Sequence, residues 1–211
     1  MNLDDWTSRF ADFLDAQMAD ADAAHDRAHV ERVVTTATRL AQETGAETAV
    51  VVPAAWLHDC VVVPKDDPER DAASARAAAA AGHFLEDAGY PSEHVSAIRH
   101  AIEAHSYSAG IPPETREAKV VQDADRLDAL GAIGIARCFM VGGALDRPLY
   151  APNDPFCDDR APDDATYTLD HFYEKLLGLP ATMQTDAGRA EADRRAAFMR
   201  TYLDHLHDEI E

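Results

Sequence analysis

The chain has 211 residues, 46% of them hydrophobic, and its 39 acidic and 19 basic residues give a formal net charge of −20. A chain of this length can bury the core of one domain without disulfides, and its hydrophobic content argues against a disordered acidic protein. The charge excludes a general role in binding nucleic acid polymers or anionic membranes, because a strongly acidic surface repels both.

Lysine is nearly absent, since only three of the 19 basic residues are lysines. A lysine-poor acidic surface suits a cytoplasm with molar salt, where the Debye length falls to about 3 Å and self-repulsion is screened. We therefore expect a halophilic source.

The cysteines and the first residues of the chain bear on the compartment. Cys60, Cys138 and Cys157 are odd in number and show no CxxC spacing, which argues against a disulfide framework and a zinc knuckle. The chain begins without a basic region followed by an apolar one, and no apolar run approaches membrane-spanning length. We expect a soluble, cytoplasmic protein.

Apolar residues recur at helical spacing along most of the chain and predict an all-α fold. The first three helices are expected at about 3–18, from His29 to a stop at Gly45, and at about 47–59, where Pro53 bends or delays the helix. No convincing strand pattern occurs. Further helices are expected at about 69–88, 92–104, from 115, at 168–177 and at 185–210, and the Pro/Asp-rich segment 141–165 is expected to be a loop or lid.

Side chains of metal-binding type end the third predicted helix at His58-Asp59. Histidine nitrogen and carboxylate oxygen together suit Zn, Mn, Fe, Co or Ni, and both must be deprotonated to bind. A dyad alone could equally be a dipole-favoured histidine beside a solvated aspartate at a helix C-terminus. It stands, however, between two further segments with such side chains, His25 to Val33 (HDRAHVERV) and Val120 to Asp128 (VVQDADRLD).

In this order the three segments resemble the HD superfamily of metal-dependent phosphohydrolases, whose ligands come as His, then His-Asp, then a distant Asp. The resemblance covers about residues 25–137. It implies a single HD-type helical bundle over 1–211, with the metal-site core at 25–137 and C-terminal helices at 166–210. It also implies one divalent transition metal per chain, Mn, Ni, Co, Zn or Fe, held by His29, His58, Asp59 and Asp125.

Asp123 competes with Asp125 for the last ligand position. The two residues lie about 200° apart on a helix, so only one of them should face the metal. Family members carry this aspartate before an Arg-Leu pair, as in Ala124-Asp125-Arg126-Leu127, and the resemblance therefore favours Asp125.

Several positive or titratable groups are candidates for contact with the substrate. Lys65 follows the dyad closely in a chain that almost avoids lysine, although it could simply balance Asp66 and a neighbouring aspartate in a polar loop. Arg137 ends a segment, GAIGIAR, that is similar in sequence to segments of other HD proteins. We expect catalytic roles for Lys65, Asp66, His100 and His105, and substrate binding by Lys65, Arg70 and Arg137.

His100 and His105 are five residues apart, and an ideal helix would not place them on one face. Both could reach the site if the helix ended near Ala104 and the following loop turned back over it. Some HD families use two extra histidines here for a second metal. Contacts to phosphate or to the metal ligands, and a purely structural role, are the alternatives.

The resemblance implies hydrolysis of a phosphate ester or anhydride, with a nucleotide as the expected small-molecule substrate and pyrophosphate as one conceivable product. Two alternatives belong to other classes. An HD scaffold can hold a di-iron site for oxidative cleavage, which would require His100 and His105 as ligands, and a degenerate HD domain can sense nucleotides without catalysis. The oligomeric state is left open.

The charge predicts that folding depends on salt. Dialysis to low ionic strength should reduce the helical circular dichroism signal, and molar KCl should restore it, because the self-repulsion of a −20 chain opposes the compact state until it is screened. KCl and NaCl should act alike at equal ionic strength. A melting temperature that does not change with salt would contradict the halophile interpretation.

Overall fold

Helices form the regular structure of the residues that the computed structural model describes, 3–17, 27–61, 72–106 and 109–210, and no strand occurs among them. The predicted all-α fold class is therefore confirmed. The helices are α1 (Asp4–Gln17), α2 (Arg27–Thr44), α3 (Thr48–Leu57), α4 (Ala73–Ala88), α5 (Ser92–Glu103), α6 (Arg116–Leu127), α7 (Gly131–Ala144), α8 (Asp170–Glu174) and α9 (Asp186–Ile210), and a 3-10 helix spans Leu176–Thr182.

The chain divides into two compact units, Met1–Asp125 and Arg126–Glu211. The single domain expected over 1–211 stays a prediction. In the described ranges no single helix is long and apolar enough to cross a membrane. Helices α6 and α7 together have the length and composition of a span, but the chain bends between them.

Helix α3 is the centre of the first unit. Residues Val50 to Leu57 are all buried, and the helix packs against α1, α2, α4 and α5. A helix that is apolar all round must be enclosed by other elements. Because α3 is enclosed in this way, whatever follows Leu57 begins deep inside the unit.

Pro53 lies inside α3 rather than at its start, and the helix continues through it. Proline has no N–H, so the carbonyl of Ala49, four residues earlier, lacks its normal helical donor. The Tyr90 hydroxyl donates to that oxygen at 2.6 Å. Burial, together with the charge of Glu47, raises the pKa of Tyr90 to about 12, so the hydroxyl keeps its proton across the physiological range.

Glycine ends two helices of this unit, as the sequence predicts for Gly45. Gly45 follows α2 with φ +70°, and Gly89 follows α4 with φ +77°. The N–H of Tyr90 then donates to the Leu85 carbonyl at 2.8 Å, which closes α4 with a Schellman-type turn. The same turn places Tyr90 where its hydroxyl reaches α3.

Hydrogen bonds attach the start of α6 to the turn between α2 and α3. Arg116 donates to the Gly45 carbonyl at 3.2 Å, and the Glu47 N–H donates to the Glu117 carboxylate at 3.0 Å. Val120, Val121 and Ala124 are fully buried on the same helix. These contacts set the position of α6 relative to the end of α3.

In the second unit α7 and the 3-10 helix pack against α9, and α8 packs against the 3-10 helix. Helix α7 continues to Ala144, so the predicted loop start at residue 141 is wrong and the non-helical segment spans 145–169. Two backbone hydrogen bonds join its ends, from Thr168 to Pro148 at 3.0 Å and from Leu169 to Leu149 at 2.9 Å. Its role as a lid stays a prediction.

An ion pair to a buried carboxylate anchors this segment. Arg160 donates to both oxygens of the fully buried Asp170 carboxylate, at 2.5 and 2.7 Å, and the Asp163 N–H adds a third hydrogen bond at 2.7 Å. Burial alone would raise the pKa of Asp170, but these hydrogen bonds outweigh it and the pKa is lowered. The segment therefore has a charged internal anchor in place of a helix.

The Tyr90 hydrogen bond should matter because of Pro53. Replacing Tyr90 by Phe removes the donor to Ala49 and should lower the free energy of unfolding by about 1 kcal/mol. In a Pro53→Ala background the new backbone N–H at position 53 can donate to the same carbonyl, so the Tyr90→Phe cost should shrink. Urea unfolding of the four proteins of this cycle measures the coupling. Equal costs in both backgrounds would contradict the assignment.

Candidate metal site

The end of α3 places the His58-Asp59 dyad inside the first unit. The helix stops at Leu57, and the Cys60 N–H donates back to the Leu57 carbonyl at 3.2 Å, which turns the chain. Adjacent side chains on a helix diverge by about 100°, and this turn allows both to face one point. His58 is fully buried, while the Asp59 side chain is 26% exposed.

The tautomer of His58 follows from its hydrogen bond. Its Nδ1 lies 2.9 Å from the Ala55 carbonyl oxygen, which can only accept, so Nδ1 carries the proton and Nε2 keeps its lone pair. That Nε2 is buried and makes no hydrogen bond within the described residues. A backbone carbonyl that orients an imidazole in this way is the usual support of a histidine that binds metal.

Two further helices bring ligand-type groups to the same point. The Nε2 of His29, in the first turn of α2, lies 3.4 Å from Asp125 Oδ1 on α6 and 3.8 Å from Asp59 Oδ2. The His58 Nε2 lies 3.4 Å from Asp59 Oδ2 and 3.8 Å from Asp125 Oδ1. Two atoms that each bind a metal at about 2.1 Å, at a tetrahedral angle, are about 3.4 Å apart. Each of these spacings suits a shared ion, and the ligand atoms of His29, His58 and Asp125 all lie within 4.8 Å of one another.

His105 approaches the other oxygen of Asp59. Its Nε2 lies 3.4 Å from Asp59 Oδ1, and its Nδ1 lies 2.6 Å from the Ile102 carbonyl oxygen, so Nδ1 is again the donor. The ring is buried and stands edge-on to His58, with centroids 4.9 Å apart. Asp59 thus approaches His29 and His58 through Oδ2 and His105 through Oδ1.

The charges of the cluster favour a cation. Burial raises the pKa of Asp59, but the histidines around it outweigh burial and hold the pKa well below its usual range. The pKa of Asp125 falls to about 2 in the same way, with the hydrogen bond from His29 as the main opposing cause. Burial lowers the pKa of His58. The carboxylates are therefore ionised and His58 is neutral at pH 7, the forms that metal binding requires.

Cys60 follows the dyad but is not a reactive group. Its thiol donates to the Ala77 carbonyl at 3.5 Å, and burial, with the charge of Asp59, raises its pKa to about 12. A thiolate is needed for both nucleophilic attack and metal ligation. Cys60 therefore serves packing.

Some predicted site residues lie elsewhere. Asp123 is fully buried on α6 but is not part of the cluster. His100 accepts a hydrogen bond from the Glu114 N–H at 3.1 Å and is not part of it either. Helix α5 continues to Glu103, so His100 is still helical whereas His105 lies beyond the helix end. Only His105, beyond the helix end, reaches the dyad.

The candidates for substrate contact are not placed at the cluster by the structure. Lys65, Asp66 and Arg70 lie outside the described residues, as does His25. Arg137 belongs to the second unit, where it donates to the buried Asp128 carboxylate at 2.5 Å. No sequence signal points to the backbone carbonyls of Ala55 and Ile102 that orient the two histidines, because such contacts depend on how each helix ends.

Comparison with known proteins identifies the class. A family model for the HD domain matches residues 27–130. A structure described as an HD-superfamily hydrolase from Bacillus thuringiensis superposes with a TM-score of 0.76 at 32% identity, covering 99% of this chain and 98% of that one. The chain belongs to the HD superfamily and is a hydrolase. HD domains bind divalent metals, and the His/Asp cluster could hold one.

A more specific relative is YpgQ of Bacillus subtilis, described as an uncharacterized protein. It is 33% identical over 197 residues, covering 92% of this chain and 88% of YpgQ. A crystal structure of YpgQ in complex with ADP superposes with a TM-score of 0.70 at 31% identity, covering 98% of this chain and 93% of that chain.

The cluster predicts a difference between two aspartates of α6. Asp125→Asn should weaken Mn²⁺ binding by more than about a hundredfold, because loss of a direct ligand should exceed the 10- to 100-fold effect of losing a supporting group. Asp123→Asn is the matched control and should stay within that smaller range. Isothermal titration, with circular dichroism to verify folding, measures both. Equal losses, or a larger loss for Asp123→Asn, would reassign the ligand.

Proposed function

We propose that the protein hydrolyses a phosphate ester or anhydride bond of a nucleotide, with one divalent transition metal held by His29, His58, Asp59 and Asp125. The observation that carries the proposal is the proximity of two histidine Nε2 atoms to two carboxylate oxygens inside the first unit. Each nitrogen lies 3.4 or 3.8 Å from an oxygen of Asp59 and of Asp125. The ADP complex of YpgQ supports a nucleotide as the ligand class.

The metal supplies the part of the chemistry that the side chains lack. When bound, a divalent ion activates water near neutral pH and polarises a phosphoryl oxygen. The side chains themselves carry two negative charges at Asp59 and Asp125, so a divalent cation neutralises the cluster and removes its repulsion of an anionic substrate.

His105 is the group best placed for proton transfer. Because its Nδ1–H is held by the Ile102 carbonyl, its Nε2 faces the Asp59 edge of the cluster and can exchange a proton with water or with a phosphate oxygen there. The lowered pKa of Asp59 keeps that carboxylate ionised, so it accepts hydrogen bonds beside His105 without taking the proton.

Lys65, Asp66 and Arg70 follow the dyad in the chain, outside the described residues. Lys65 and Arg70 are proposed to contact the substrate phosphates, and Asp66 is kept as a candidate catalytic residue. Positive groups are needed there because the net charge of −20 otherwise repels an anionic ligand. We do not extend this proposal to His100, whose Nε2 is occupied by the Glu114 N–H. Arg137 stays a candidate, with its guanidinium bonded to Asp128.

The two alternatives have less support. A di-iron site would need a second set of ligands, and the second possible metal group among the described residues, His58, Asp59 and His105, shares His58 and Asp59 with the proposed site. A sensor without catalysis would be expected to lose a ligand, whereas this chain keeps His29, His58, Asp59 and Asp125, with 3.4 or 3.8 Å between each histidine Nε2 and the nearer oxygen of each carboxylate.

Product analysis tests the reaction. Protein loaded with Mn²⁺ in molar KCl should hydrolyse a nucleotide in a panel of mono-, di- and triphosphates, and ³¹P NMR should show which bond breaks. Pyrophosphate from a triphosphate would define a pyrophosphohydrolase, and orthophosphate a phosphatase. Loaded protein that cleaves none of them but consumes oxygen with a polyol or phosphonate would overturn the proposal.

Substitution of Lys65 tests the proposed contact between this residue and the substrate phosphates. Lys65→Ala should keep Mn²⁺ affinity and lose about ten- to a hundredfold in kcat/KM, as expected for one charge-assisted contact. The exposed Lys175 of the second unit is the control, because Lys175→Ala removes the same charge elsewhere and should stay near wild type. Equal effects of the two substitutions would assign the loss to net charge rather than to contact.

A further inference from the structure

Gln122 lies on α6 one helical turn before Asp125, and its side chain is buried. Its Nε2 donates to the Ala104 carbonyl oxygen at 2.6 Å. Ala104 is the C-terminal cap of α5 and directly precedes His105. One helix therefore carries a predicted metal ligand and the donor to the turn that presents His105.

The Ala104 carbonyl needs this donor. Carbonyls at a helix C-terminus have no intrahelical N–H partner, and Ala104 is fully buried, away from water. The other Gln122 atom, Oε1, is buried without a hydrogen bond within the described residues. A buried acceptor without a partner destabilises the fold, and an apolar side chain would avoid it. The N–H donor is therefore the part of Gln122 that this position uses.

His105 is then held from two sides. The main chain beside it is fixed by Gln122, and its ring is fixed by the 2.6 Å hydrogen bond from Nδ1 to Ile102. Both acceptors are carbonyls of the same turn, so a shift of Ala104 would also move the ring. The Nε2 position, 3.4 Å from Asp59 Oδ1, depends on this turn.

We propose that Gln122 is a positioning residue that keeps the Ile102–His105 turn, and hence His105 Nε2, at the Asp59 edge of the cluster. The proposal rests on the proposed function only for the consequence in catalysis. The geometric part concerns the histidine alone and can be tested without turnover.

The geometric test uses ¹⁵N-labelled histidine and NMR of the metal-free protein. Gln122→Met removes the donor and keeps the volume. The Nδ1–H of His105 should exchange with water at least about tenfold faster in this variant, because its turn is no longer held. His58 is the internal control, since its Nδ1–H is held by Ala55 and should not change. An unchanged His105 signal overturns the proposal, and so does an equal change in both histidines.

A second variant keeps the test decisive if Gln122→Met does not fold. Gln122→Glu has the same shape, and its carboxylate cannot donate to Ala104. It should give the same faster exchange at His105 above the pKa of the introduced group. Slow exchange at His105 in this variant overturns the proposal.

The catalytic part is tested by a double-mutant cycle with His105→Ala. Gln122→Met should lower kcat about tenfold in the wild-type background and by less than about twofold in the His105→Ala background, because it acts through His105. Ile98→Val, a conservative change in the core of α5, is the control and should leave kcat nearly unchanged. The same factor in both backgrounds would show a general structural effect and overturn the proposal. If wild-type protein hydrolyses nothing, the proposed function fails while the NMR result still decides the role of Gln122.

Discussion

The packing of two partly exposed carboxylates, Asp59 and Asp125, against the buried imidazoles of His29 and His58 is the constraint on which the first unit depends. Asp59 and Asp125 stay ionised because His29, His58 and His105 surround them, and they share those partners rather than having one each. Burying charge is costly unless it is compensated. The compensating histidines come from three segments and the carboxylates from the end of α3 and from α6, so α2, the end of α3, the end of α5 and α6 must all keep their relative positions.

The apolar helix α3 makes that arrangement possible. Every residue from Val50 to Leu57 is buried, so packing on all sides fixes the position of α3 in the unit. The dyad that follows the helix is therefore held at a fixed position in the interior. Pro53 removes one backbone hydrogen bond from this helix, and the hydrogen bond from the Tyr90 hydroxyl to the Ala49 carbonyl replaces it. Backbone carbonyls fix the polar side chains near the site. The carbonyls of Ala55, Ile102 and Ala104 accept hydrogen bonds from His58, His105 and Gln122, respectively, which restricts rotation of these side chains.

The sequence was sufficient for the helices and for the order of the ligand-type residues, because both are local patterns. It left His100 and His105 undecided, since the answer depends on whether α5 ends before or after each of them. It placed Pro53 near a helix start, because the Tyr90 contact that tolerates an interior proline joins residues 41 positions apart. The start of the 145–169 segment was misjudged for a related reason: α7, rich in small residues, extends further than its composition indicates.

The central claim is that His29, His58, Asp59 and Asp125 hold a single divalent metal. Crystals grown with Mn²⁺ and measured near the manganese absorption edge would locate the ion by anomalous scattering. We expect one strong peak about 2.0–2.3 Å from the two Nε2 atoms and from an oxygen of each carboxylate. A peak bound by other residues, or no peak at this cluster in protein that binds Mn²⁺ in solution, would contradict the claim.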